Sequence, residues 1–288
     1  MLDLCRIPMK GNHAYWISAI HIARLEELRL FDCEGSDDFL AAMTRVTSEK
    51  LSLQKLQVHG EGIDGQTYLK AIDKIIDRCS GLQSIMIELE SATRMPNLAG
   101  ILKHAATLRT LSICFLQGLN PEEIIPCIDD LQQICRTCQA LRQFSCAFPP
   151  TPLAVGAISP NWCEFARTIA MLPHLITLQT TTWPNGPQRH WGEENRLCIE
   201  ALARSVFQEA ESSALSRSNT HALLRLVGFG SCDIPDQSWD CDFQMTFIRW
   251  TQKAPGADAA PIERVSRHTW MVEEPESEVL ERFINFHI

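Results

Sequence analysis

The stretch LEELRLFDC, residues 25–33, places leucines at positions one, four and six and a cysteine at position nine. Alternation of apolar and polar residues over so short a segment is typical of a strand with one buried face. Related segments follow at intervals of 28, 29, 26, 33, 34 and 49 residues, starting at Leu53, Leu82, Leu108, Leu141, Leu175 and Leu224. Because the spacing recurs, the sequence predicts a repeat architecture and not one isolated strand.

The intervals between these segments carry a helical pattern. Apolar residues there are spaced by three and four, which predicts one amphipathic helix per interval. Clear examples are Phe39, Leu40, Met43 and Val46, followed by Leu69, Ile72, Ile75 and Ile76. The longest helix is expected to begin at Pro121, after Asn120 as its N-cap, and to extend through Cys135. The repeating unit is therefore strand, loop, helix, loop.

A single unit of this kind cannot bury its own apolar side, so neighbouring units must stack. Stacked strands pair in parallel at a spacing of about 4.8 Å, whereas helices need more width. The stack therefore bends with the sheet on its inner side. The sequence predicts an α/β solenoid of about seven repeats, a horseshoe with a concave parallel sheet and convex helices.

The repeat pattern stops after residue 232. Residues 242–250 and 262–272 are rich in β-branched and aromatic side chains, which predicts two strands. The tail from Pro275 has Val279 and Leu280 on one side and predicts a final helix. We therefore divide the chain into a repeat solenoid, residues 1–232, and a C-terminal β/helix cap, residues 233–288, which covers the open apolar edge of the last repeat.

The repeat resembles the leucine-rich repeat family, whose core reads LxxLxLxx followed by Asn or Cys. Leu25, Leu28, Leu30 and Cys33 match it best, and Leu224, Val227, Phe229 and Cys232 repeat it. The long, helix-bearing repeats are similar to the cysteine-containing subtype of fungal F-box proteins. The chain departs from the pattern at Glu61, Glu90, Leu116, Pro149 and Trp183, and no F-box is recognisable in it. The resemblance implies substrate recognition in an F-box-type ubiquitin ligase, or a derivative lacking the F-box.

The composition of the chain indicates which kind of partner it can bind. A net charge of −9 with no basic stripe disfavours nucleic acid. No run of about 18 apolar residues predicts a membrane span, and the opening residues lack a secretory pattern. Twelve scattered cysteines in a chain of this size indicate a reducing compartment. We expect an intracellular protein, cytoplasmic or nuclear, with a protein or peptide partner and without a cofactor.

Two cysteine motifs could carry chemistry. Cys135 and Cys138 form the CxxC of the chain, but a metal site would need a second ligand pair, so a buried structural pair is expected. Cys232 follows two glycines and suggests a thiol-dependent enzyme as a minor alternative. It lacks the Gly-x-Ser-x-Gly turn and the base that such chemistry needs. No catalytic or metal-binding residue is predicted, and the protein is expected not to be an enzyme.

The inner face of the sheet is the predicted binding surface. Its residues alternate with the buried leucines and are mixed and mostly neutral, which suits a protein partner. The predicted contact residues are Arg29, Phe31, Lys55, Gln57, His59, Met86, Glu88 and Gln179. Phe31, Met86 and Trp183 would be its apolar anchors. A second candidate surface is the loop carrying Trp183 and Trp191. A generic scaffold without a ubiquitin link, or a face that is only solvated, remain as alternatives.

Overall fold

A computed structural model describes residues 1–46, 50–60, 65–89, 92, 94–115, 126–148, 158–182, 193–218, 221–230, 244–250 and 261–281. These residues form an α/β fold whose strands are mostly parallel, as the sequence predicts. The chain divides into two compact units, Met1–Pro126 and Cys127–Ile288. Each unit contains its own set of paired strands and packed helices.

The described residues of unit 1 form five parallel strands that pair with their neighbours in chain order. The strands are β1 (Leu2–Cys5), β2 (Glu27–Phe31), β3 (Lys55–Gly60), β4 (Ser84–Leu89) and β5 (Thr110–Phe115). The helices are α1 (His13–Ala19), α2 (Ser36–Val46), α3 (Gly65–Arg78) and α4 (Leu98–Leu102), with a short 3-10 turn at Ile22–Arg24. Strands β2 to β5 each begin two residues after one of the spaced leucines, so the predicted strand positions are confirmed here.

The aliphatic residues of unit 1 align in columns across the strands. Leu28 pairs with Leu56, Leu56 with Ile85, and Ile85 with Leu111. All four are fully buried. A second column runs through Leu30, Val58, Ile87 and Ile113. Because side chains alternate between the two faces of a strand, this register directs every repeat leucine to the same side.

Unit 2 also alternates strands with helices, but its last two strands run antiparallel to their neighbours. Strands β6 (Gln143–Cys146), β7 (Thr177–Thr180) and β8 (Leu226–Gly230) are parallel, whereas β9 (Gln244–Arg249) and β10 (Ile262–Val265) are antiparallel. The helices are α5 (Ile128–Thr137), α6 (Pro160–Ile169), α7 (Glu193–Ser218), α8 (Arg267–Glu273) and α9 (Glu278–Glu281). Its buried column runs through Phe144, Leu178, Val227 and Phe247.

Two predicted elements differ from the structure. The strand expected over 262–272 ends at Val265, because Ser266 caps a helix there and its hydroxyl accepts a hydrogen bond from the Thr269 amide at 3.3 Å. The helix expected from Pro121 is described only from Ile128, after Cys127 as its N-cap. Pro126 has no amide hydrogen to donate within a helix, so a helix cannot run through this point unbroken. Asn120 and Pro121 lie outside the described residues.

The cysteine that ends the first repeat segment connects two repeats. The buried Cys33 thiol donates to the Leu4 carbonyl at 3.3 Å and to the Phe31 carbonyl at 3.4 Å. Burial raises the pKa of this thiol, so it remains protonated and able to donate. The positions at which the repeat pattern departs, Glu61, Glu90, Leu116, Pro149 and Trp183, lie outside the described residues.

A histidine connects two later repeats. The buried His104 ring donates from Nε2 to the Ile76 carbonyl at 3.0 Å and accepts at Nδ1 from the Leu82 amide at 3.2 Å. Only the neutral ring can make both bonds together, because a protonated Nδ1 cannot accept. Desolvation by burial lowers the pKa of His104. The ring therefore joins α3 to the start of β4 only in its neutral form.

We expect His104→Gln to remove one source of acid sensitivity. The folded pKa of His104 lies below the unfolded value of about 6.5. The neutral ring therefore stabilises the folded protein fully above that pH, and this stabilisation is lost as the pH falls below it. Near neutral pH the variant should be less stable by about 1 kcal/mol, because an amide only approximates the ring geometry. Urea unfolding followed by circular dichroism should show this difference shrinking towards about pH 5.

The exposed His174 provides the control for this experiment. His174→Gln should change the free energy of unfolding little at either pH. A difference between wild type and His104→Gln that stays constant with pH would contradict the role assigned to the neutral ring.

Candidate functional site

The strand face of unit 1 is the surface formed by the side chains that alternate with the buried columns. Strand register arranges these side chains in three rows across β1 to β5. The rows are Glu27, Lys55, Ser84 and Thr110; Asp3, Arg29, Gln57, Met86 and Ser112; and Cys5, Phe31, His59, Glu88 and Cys114. The structure therefore brings seven of the eight predicted inner-face residues onto one surface.

The accessible part of this face is a small network of opposite charges. Arg29 lies 4.0 Å from the Asp3 carboxylate and 3.8 Å from that of Glu27, which in turn lies 3.9 Å from the Lys55 ammonium. These side chains are between 29% and 37% exposed. Ion pairs this long at a surface contribute little to stability. These three pairs therefore add little to the stability of unit 1.

Phe31 and His59 form a packed pair at the carboxyl end of the strands. Their rings stack with centroids 4.4 Å apart and an angle of 8° between the planes. The His59 Nδ1 donates to the Asp32 carboxylate at 2.7 Å. Both rings are buried, Phe31 being 7% exposed. Phe31 is therefore buried in this stack and is not the exposed apolar anchor that the sequence predicts.

Met86 and Glu88 are also buried, each being 4% exposed. Ser84 and Ser112 beside them are buried as well. Of the predicted contact residues in unit 1, the partly exposed ones are Arg29, Lys55 and Gln57. The accessible part of this face is therefore polar. That these residues contact a partner stays a prediction.

Gln179 lies on the strand face of unit 2, where it is fully buried. Its Oε1 accepts from the Ser145 hydroxyl at 3.1 Å, and its Nε2 donates to the Gly230 carbonyl at 3.0 Å. Residues 275–281, here called the C-terminal segment, lie over the neighbouring positions of this face. A binding role for Gln179 would therefore require that segment to move.

The C-terminal segment differs in its placement from the predicted cap. Strands β9 and β10 cover the edge of β8, but Val279 and Leu280 cluster with Leu226, Ile248 and Trp270 on the strand face. The sequence carried a signal for this arrangement, since Gly228 in β8 leaves an unfilled position on that face. The second predicted surface, Trp183 and Trp191, lies outside the described residues, as does Cys232.

No disulfide joins any two of the ten cysteines in the described part of the chain. Cys135 and Cys138 are fully buried, which confirms the expected burial of the CxxC pair. Burial raises the pKa of Cys135 to about 12, of Cys138 to about 11 and of Cys79 to about 12. Thiolate is the nucleophilic form of cysteine, so these thiols are poorly suited to nucleophilic chemistry at neutral pH.

The described ranges contain no group of three or more His, Cys, Asp or Glu side chains arranged to hold a metal ion. No helix in these ranges has the length and apolar character needed to cross a membrane.

Comparison with known proteins does not assign the chain to a family. No model of a protein family matches the sequence, and no curated protein matches it either.

Native thiol labelling should follow burial. With iodoacetamide near neutral pH we expect Cys127, which is exposed, to react first among the described cysteines. Cys79, Cys135, Cys138 and Cys146 should stay unmodified until the protein unfolds, because burial raises the pKa of each thiol and blocks access. Peptide mass spectrometry at short labelling times measures the order.

The same experiment addresses the thiol-enzyme alternative. Selective labelling of Cys232 well ahead of Cys127 would favour that alternative. Modification of Cys135 or Cys138 in the folded protein would contradict the burial described here.

Proposed function

We propose that the chain is a leucine-rich-repeat-type solenoid that acts as a non-enzymatic protein-interaction module. The observation that carries the proposal is the strand register of unit 1. It aligns the aliphatic repeat positions in buried columns and the alternating positions in rows on one face. A surface built from successive repeats presents side chains from several strands to one partner.

The chemistry of the face supports a protein or peptide ligand. Asp3 and Glu27 balance Arg29 and Lys55, so the accessible area carries both signs of charge. A phosphate backbone would favour a continuous basic surface, whereas mixed charge and an amide at Gln57 suit a polypeptide. We infer that Arg29, Lys55 and Gln57 make the first contacts with the partner.

A ubiquitin-linked role is the more specific form of this proposal. Its support is the resemblance of the LxxLxLxxC segment at Leu25–Cys33 to the repeats of F-box proteins. The Cys33 thiol, which bonds to a carbonyl of the preceding repeat, agrees with that repeat type. In this form the module selects substrates for a ubiquitin ligase. The alternative is an interaction protein without a ubiquitin link.

A charge-reversal variant tests the binding face. We expect Arg29→Glu combined with Lys55→Glu to reduce partner recovery at least about tenfold, since like charges across an interface are unfavourable by more than 1.4 kcal/mol. The measurement is affinity capture with the full chain, followed by quantitative mass spectrometry. The partners in question are those that wild type recovers reproducibly.

Arg45→Glu combined with Lys74→Glu is the matched control, because it makes the same charge change at exposed positions of α2 and α3. This variant should retain the partners. If both variants recover the partners equally, the binding site does not lie on the strand face of unit 1. If captures with the full-length gene product contain no ligase adaptor subunit, the ubiquitin-linked form of the proposal is contradicted. The proposal of an interaction module is not affected by that result.

A further inference from the structure

The C-terminal segment is bound to the strand face of unit 2 in the manner of a peptide ligand. Gln143 of β6 contacts its main chain twice: Nε2 donates to the Glu276 carbonyl, and Oε1 accepts from the Val279 amide at 3.1 Å. A side-chain amide that satisfies both a carbonyl and an amide of the opposing chain fixes its position without regard to side-chain identity. The face therefore recognises peptide main chain.

Side-chain contacts add sequence preference. The hydroxyls of Ser277 and Thr177 share a hydrogen bond of 2.7 Å, and both groups are buried. Leu280 occupies the space above Gly228, where a Cβ would lie 2.6 Å from the leucine Cδ2. Val279 and Leu280 are fully buried against Leu226 and Ile248. The face thus has a polar position for a small hydroxyl residue and an apolar position for two aliphatic residues.

Charge extends the site along the chain. Arg225 pairs with Glu273 at 3.6 Å and with Glu274, and Arg142 lies 3.9 Å from Glu276. Two arginines that face three glutamates favour an acidic peptide, although the partly exposed pairs add more to selectivity than to affinity. Together with the two glutamates before it, the C-terminal segment reads EEPESEVLE, residues 273–281.

We propose that the face formed by β6, β7 and β8 is a peptide-binding groove, and that residues 273–281 occupy it as an internal ligand. The partner is a protein segment with acidic residues, a serine and two aliphatic residues in the spacing of ESEVL. Such a segment binds by displacing the internal one. This inference deepens the proposed interaction function and rests on it.

Because the C-terminal segment occupies the groove, a separate peptide binds the groove more weakly. A tethered segment competes at an effective concentration in the millimolar range, so a free peptide meets an occupied groove. Opening the groove requires loss of the Leu280 contact, because this side chain is buried and fits against a glycine. Leu280→Asp in the full chain leaves the groove residues unchanged while it removes the internal ligand.

The experiment measures binding of a fluorescein-labelled EEPESEVLE peptide by fluorescence anisotropy. The Leu280→Asp chain should bind it saturably, and wild type should bind it at least about tenfold more weakly. Val272→Asp is the matched control, because it places the same charge at a 65% exposed position of α8 and should behave as wild type. Adding Gly228→Val to Leu280→Asp should abolish binding, since the new side chain fills the position of the leucine.

If the Leu280→Asp chain does not fold, hydrogen exchange of the wild-type protein tests the proposal instead. In wild type, excess unlabelled peptide should accelerate exchange at the Val279 amide, which Gln143 otherwise protects. Unchanged exchange, equal peptide affinity in wild type and a folded Leu280→Asp chain, or binding that survives Gly228→Val would overturn the groove. None of these results bears on partner capture through Arg29 and Lys55, so the wider proposal is tested separately.

Discussion

In-register pairing of parallel strands is the constraint on which the rest of the structure depends. Side chains alternate along a strand, so the register decides which side of the sheet each residue occupies. In unit 1 it buries Leu28, Leu56, Ile85 and Leu111 together, and in unit 2 it buries Phe144, Leu178 and Val227. A slip of one residue would exchange the apolar columns with the polar rows, so fold and surface chemistry are set together.

The two units use their strand faces differently. In unit 1 the accessible residues are polar side chains, several of which form long ion pairs at the surface. In unit 2 the face carries Gly228, Thr177 and amide side chains, and it is covered by residues 275–281. Small residues permit close approach of another segment, which is why the internal ligand binds there.

The sequence predicts elements well wherever a local pattern controls them. The repeat leucines give the starts of seven strands, and the spacing of apolar residues gives most helices. Prediction fails where a single residue changes the outcome, as Ser266 does by capping α8 within an expected strand. The predicted helix also runs through Pro126, whereas α5 begins at Ile128, because Pro126 interrupts an apolar pattern that otherwise continues.

The candidate site was less predictable, because burial depends on distant residues. Phe31 and Met86 alternate correctly with the buried columns, yet both are buried, and Phe31 stacks on His59 from the next repeat. The contact of Gln143 with Val279 joins residues 136 positions apart. No local pattern encodes a contact of that separation. The sequence therefore identifies a face, while the structure decides which of its residues are accessible.

Nuclear Overhauser effects between methyl groups test the register most directly. In a protein with labelled leucine, isoleucine and valine methyls, cross-peaks should join Leu28 to Leu56, Leu56 to Ile85 and Ile85 to Leu111. Neighbouring strands lie about 4.8 Å apart, so pairs two strands apart should give much weaker signals. Cross-peaks that link these residues to other partners, and not to one another in this order, would contradict the aligned column and the account built on it.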